Sequence, residues 1–113
     1  MTLSGTALLA RIFLGEGDKV RGRPAYMAIV EEARRRSIRG ATVLRGIMGY
    51  GAGSRIHSAA ILRLSEDLPI IIELVDEEAR IRGFLPWLEE VLGGGLITLE
   101  KVEVLRYEPR KRG

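Results

Sequence analysis

The stretch GATVLRGIMGYGAGSRIHS, residues 40–58, holds the chain's densest set of groups suited to binding an anion. A nest of backbone N–H groups around a phosphate needs residues that accept positive φ, and glycine does so without a Cβ clash. Gly46, Gly49, Gly51 and Gly53 offer that freedom. Arg45 and Arg55 flank them with guanidinium groups able to pair with phosphate oxygens. A second run, Gly93-Gly94-Gly95, lies far along the chain. Neither run completes a Walker A or a dinucleotide-binding fingerprint. On pattern alone the first run reads as a turn or as a phosphate loop.

Other chemistries find fewer residues. Cysteine is absent and His57 is the single histidine, so a Cys-His pair is impossible and a Ser-His-carboxylate set would rest on His57. Ser58 beside it lacks the surroundings of a nucleophile. The adjacent carboxylates Glu66-Asp67 and Glu77-Glu78 suit a turn and a helix start. The expectation is a protein that is not an enzyme. His57 alone also falls short of a zinc or copper ligand set, which several chains would have to assemble together.

The balance of charge narrows the partners. Lysine and arginine number 18 against 15 acidic residues, and the tail Arg110-Lys111-Arg112 accounts for the excess. Nucleic-acid binding scales with the phosphates neutralised across a surface, so a neutral body with a short basic tail is not expected to bind nucleic acid. With 113 residues, 46% apolar, the chain can bury about two-thirds of its unfolded surface. We read one domain over 1–109 and a basic tail over 110–113. No apolar run approaches the roughly 18–20 residues that span a bilayer. Arg11 interrupts the N-terminal apolar stretch, which no basic segment precedes. Together with the absence of cysteine, this points to a cytoplasmic protein with no membrane insertion. Asparagine and glutamine are also missing, a thermophile trend.

These residues need a scaffold to place them. Residues 7–14, ALLARIFL, read as a buried strand, and the loop from Gly15 continues through Gly22. Pro24 suits the first turn of a helix whose inner face is Tyr26, Ile29, Val30, Ala33 and Ser37, with Gly40 as its stop. Glu31→Arg35 and Glu32→Arg36 are favourable i,i+4 pairs, which makes Arg34-Arg35-Arg36 a solvated helix face. A second strand covers 41–48, a short one 59–62, and a strong one starts at Pro69. Asp76 is the expected N-cap of a second helix, kinked or divided by Pro86 near Gly83 and ended by Gly93-Gly94-Gly95. In the final strand, 96–107, the alternation slips phase, which predicts a bulge at Glu100-Lys101. The order β-α-β-β-α-β predicts an α+β, ferredoxin-like sandwich, a four-stranded antiparallel sheet with two helices on one face.

The residues Gly40-Ala41-Thr42-Val43 followed by Gly49-Tyr50-Gly51 resemble the segment of PII signalling proteins where strand two enters the T-loop. More closely, GEGDK at 15–19, GATVLRGIMGYG at 40–51, IHSAAILRLSEDLPIIIELVD at 56–76 and GGGLITLEKVEV at 93–104 resemble a PII-like family, domain-of-unknown-function family 190. The resemblance implies a homotrimer that binds an adenine nucleotide between subunits and acts on a target protein, such as a membrane transporter, through the 49–57 loop. Carried over, Thr42, Gly49, Tyr50 and Gly51, with Arg45, Gly53 and Arg55 beside them, would line one side of that cleft. Gly93, Gly94 and Gly95 would line the other. Ala52-Gly53-Ser54-Arg55 stands where PII proteins carry Arg-Gln-Lys, and no lysine accompanies the second glycine run, so AMP or ADP is expected rather than ATP. The alternative is a divalent-metal-handling trimer similar to the cation-tolerance proteins of the same fold, with His57 as a ligand.

Overall fold

A computed structural model describes residues 5–51 and 68–110. The elements are β1 (Gly5–Gly15), β2 (Lys19–Val20), β3 (Arg23–Pro24), α1 (Ala25–Arg35), β4 (Gly40–Arg45), β5 (Pro69–Asp76), α2 (Glu78–Val91) and β6 (Leu96–Val104). The main sheet has the order β4-β5-β1-β6, and every neighbouring pair is antiparallel. The expected strand at 59–62 and turn at 65–67 lie outside the described residues.

Alternation along the two central strands builds the core. Leu8, Ala10, Ile12 and Leu14 of β1 and Ile70, Ile72 and Leu74 of β5 are buried on one face of the sheet. Against them pack Ala25, Ile29 and Ala33 of α1 and Ile81, Phe84 and Leu88 of α2, the inward positions of two amphipathic helices. Phe84 stacks on Trp87 at 5.4 Å, and the Arg36 guanidinium lies 5.3 Å from the Phe84 ring, covering the core at its rim. The opposite face of the sheet carries no helix among the described residues. It is apolar at Leu9, Phe13, Ile71, Val75, Val102 and Val104, with Leu44 and Leu96 exposed.

Several local expectations change. The loop after β1 contains a two-residue hairpin, because Arg21 (φ 51°) and Gly22 (φ 81°) both take positive φ, as a type I′ turn requires. Pro24 caps α1 rather than entering it. Helix α1 ends at Arg36 and Ser37, the latter at φ 63°, three residues before Gly40. Gly40 is needed for another reason: a Cβ there would lie 2.6 Å from Val75 Cγ1, so β4 could not approach β5. Glu31 pairs with Arg23 at 2.7 Å instead of Arg35, whereas Glu32 holds both Arg35 and Arg36. The N-cap of α2 is Glu77, and Asp76 closes β5 as a fully buried residue. Pro86 sits inside α2 without dividing it, since its missing N–H removes one hydrogen bond while Phe84 and Leu88 anchor both sides. Strand β4 stops at Arg45 and not at residue 48, because Ile47 and Met48 are solvent-facing and pair with no strand among the described residues. The bulge at Glu100-Lys101 is absent: β6 keeps one-to-one register with β1 from Val104 to Leu96. The phase slip instead moves the apolar residues from the helix face, Ile97 and Leu99, to the open face, Val102 and Val104.

Candidate functional site

The antiparallel order brings four strand ends together. Gly15 of β1, Arg45 of β4, Pro69 of β5 and Leu96 of β6 all lie at one end of the sheet. Both glycine segments and the loop after β1 therefore gather there.

On the β4 edge the chain is fixed by backbone approach. The Gly46 N–H donates to the Pro69 carbonyl at 2.7 Å, and the Glu16 N–H donates to the Leu68 carbonyl at 2.8 Å. A Cβ at Gly46 would stand 2.8 Å from Pro69 Cγ, and one at Gly49 3.2 Å. These glycines let residues 46–49 fold over the proline ring. They do not sit at positive φ, which corrects the expectation of a left-handed nest at Gly46 and Gly49. Beyond them Ile47, Met48 and Tyr50 are largely exposed, at 93%, 71% and 73%.

Arg45, expected to reach a phosphate, is ion-paired with Glu16. The loop that presents Glu16 is tight: Asp18 Oδ2 accepts from the Gly15 N–H at 3.0 Å, and the Asp18 carbonyl accepts from the Ala25 N–H at 2.8 Å. Sequence spacing gave no sign of this pair, because its members are 29 positions apart. Pro69 was legible as a strand start but not as the wall that demands two glycines. Thr42 is in mid-strand on the open face, opposite Glu73. Gly53, Arg55 and His57 lie outside the described residues.

The second glycine run stands at the other edge. Gly95 adopts φ 113°, and a Cβ there would lie 2.9 Å from the Phe13 carbonyl oxygen. It is the left-handed turn that leads from α2 into β6. A Cβ at Gly93 or Gly94 would meet open space. Three strand spacings separate β4 from β6, so the two glycine segments are about 14 Å apart within one chain. One phosphate group cannot touch both.

The centre of the open face is ionic. Arg11 pairs with Glu73 of β5 and Glu100 of β6, each at 2.9 Å. Those bonds, Glu73 first, raise the Arg11 pKa further above its ordinary value. Among the described residues no group of three or more His, Asp or Glu is placed to hold a metal ion. No helix among them is long and apolar enough to cross a membrane.

The Thermus thermophilus protein described as a putative PII-like signaling protein superposes with a TM-score of 0.62 at 23% identity, covering 88% of this chain and 90% of that one. CPII from Thiomonas intermedia K12, solved bound to ADP and bicarbonate, superposes with a TM-score of 0.57 at 17% identity, with 88% of each chain covered. The fold is thus that of PII-like proteins. A UPF0166 protein of Aquifex aeolicus is 43% identical over 99 residues, 86% of this chain and 91% of the relative. A UPF0166 protein of Methanocaldococcus jannaschii is 43% identical over 103 residues, 90% and 94% respectively. Residues 7–104 match the model of DUF190, described as "Uncharacterized ACR, COG1993", and the chain belongs to that family.

Proposed function

We propose that the chain is a non-enzymatic PII-like regulator that binds an adenine nucleotide between the subunits of a homotrimer and acts on a target protein through the segment following β4. The observation that carries this reading is the placement of Gly46–Gly51 and Gly93–Gly95 at one end of the sheet but on opposite edges. In a trimer, one ligand uses both by bridging the β4 edge of one subunit and the β6 edge of the next. The sheet face that no described helix covers supports such an assembly, since a second copy would cover its exposed Leu44 and Leu96 around the central ion pairs. CPII, solved with ADP, AMP and bicarbonate, supports the choice of an adenine nucleotide.

In this mechanism the adenosine lies in the inter-subunit cleft and the phosphates reach Arg45 and the backbone beyond Gly49. The ligand selects one arrangement of the segment after β4, which carries Ile47, Met48 and Tyr50 to the target. Titration calorimetry with AMP, ADP and ATP tests the reading. AMP or ADP is expected to bind once per subunit in a species that native mass spectrometry weighs as a trimer. A folded protein that binds none of the three removes it.

A further inference from the structure

The ion pair between Glu16 and Arg45 puts a fixed negative charge on the guanidinium nearest the proposed phosphate position. Both partners are anchored to two adjacent residues. Glu16 donates its N–H to the Leu68 carbonyl, and Gly46, next to Arg45, donates to the Pro69 carbonyl. The Asp18 hydrogen bonds hold the turn that presents Glu16. These backbone bonds hold the Glu16 and Arg45 main chains side by side, so the carboxylate stays within reach of the guanidinium even when the pair opens. The Arg45 side chain remains 59% exposed while that of Glu16 is 22% exposed, so an arriving anion meets the arginine with the carboxylate behind it.

We infer that Glu16 sets the charge class of ligand this end accepts, favouring nucleotides with few phosphates over triphosphates. This rests on the nucleotide-binding reading above. A guanidinium already half-neutralised by a carboxylate attracts a monophosphate, but each further phosphate adds repulsion from Glu16. A unit charge at about 7 Å in solvent-like surroundings changes affinity roughly threefold for each unit of ligand charge. The effect must therefore grow from AMP to ADP to ATP. A purely steric or structural role for Glu16 would affect the three alike.

The test is calorimetry of wild type, Glu16→Gln and Glu16→Asp with AMP, ADP and ATP at low and high salt. Thermal unfolding checks that the variants are folded. The Glu16 carboxylate pairs with Arg45 at the surface and not in the core, so both variants are expected to fold. Glu16→Gln should bind ADP about threefold better relative to AMP than wild type does, and ATP about threefold better again. Both gains should shrink as salt screens the charge. Glu16→Asp keeps the charge and should keep the wild-type ranking. Equal changes for all three nucleotides in Glu16→Gln, or loss of binding in that variant alone, overturn the inference and leave the nucleotide reading standing. No binding by any of the three proteins overturns both.

Discussion

The two ends of the sheet contrast in how their ion pairs are housed. At the end where β4 begins and β5 finishes, Asp76 is fully buried and the Arg39 side chain is only 9% exposed. Asp76 accepts from the Arg39 guanidinium at 2.5 Å, the Arg39 N–H at 3.0 Å and the Glu77 N–H at 2.7 Å. At the opposite end the Arg45 side chain is more than half exposed and its partner Glu16 partly so, and the chain around them is held by glycine contacts with Pro69. A buried pair locks geometry; an exposed pair can exchange partners. The first end is built for stability, and the second holds the arginine that the proposed function assigns to a ligand.

Removing one partner at each end measures this difference. Asp76→Ala strips Arg39 of its buried acceptor, leaving it only Glu77 Oε1 at 3.3 Å, and removes the acceptor of the Arg39 and Glu77 N–H groups; it is expected to cost about 3 kcal/mol in denaturant unfolding. Glu16→Ala at the other end is expected to cost no more than about 1 kcal/mol. Comparable losses would mean that the two ends do not differ in the way their exposure suggests.

The glycine run before β6 sharpens the contrast within three residues. Gly95→Ala places a Cβ against the Phe13 carbonyl at a positive φ, and should destabilise by about 2 kcal/mol. Gly94→Ala meets open space and should leave stability within about 0.5 kcal/mol. If Gly94 faces a ligand, Gly94→Ala weakens nucleotide binding in calorimetry without moving the melting temperature. That outcome would separate the structural glycine from the binding one.

The fold was legible where a single period ruled. The apolar run Ile70–Val75 opened by Pro69, and the helical spacing of Ile81, Phe84 and Leu88, were enough to order the elements and choose the sandwich. Three of the local errors share one cause: they depend on a partner distant in sequence. Gly40 resembles a helix stop until Val75 is placed beside it, and Asp76 resembles a cap until Arg39 is. Gly46 and Gly49 suggest positive φ, but the constraint is the Pro69 ring. The site was legible as a list of glycines and arginines. Its division between two edges of the sheet was not, because only strand order sets that distance.

A third ion cluster pairs a mostly buried carboxylate with two guanidiniums that reach water. Glu32 is shared by Arg35 at 2.5 Å and Arg36 at 2.8 Å, and these bonds, Arg35 first, lower its pKa from 4.5 to about 2. A depressed carboxylate contributes its full stability above its unfolded pKa and loses it as pH falls through its folded one. With water screening both guanidiniums, Glu32→Gln should cost about 1 kcal/mol at neutral pH. The gap between variant and wild type should hold down to about pH 4.5 and close towards pH 2, measured by denaturant unfolding across that range. A gap independent of pH would assign the loss to packing.

The smallest expected loss of a hydrogen bond probes whether the buried end also restrains the C-terminal segment. Strand β6 ends at Val104 beside Gly5, and the chain then carries Tyr107 to Arg39, whose carbonyl accepts from the tyrosine hydroxyl at 2.8 Å. Tyr107 is 37% exposed, so water competes for the bond, and Tyr107→Phe should cost only about 0.5–1 kcal/mol. The local consequence should be larger than the global one. Without the hydroxyl, residues 105–110 are no longer tied to the start of β4, and trypsin should cut after Arg106 several-fold faster under native conditions while the melting temperature moves by only a few degrees. An unchanged cleavage rate would mean that this segment is held by something other than its tyrosine, and the buried end would then stop at Arg39 and Asp76.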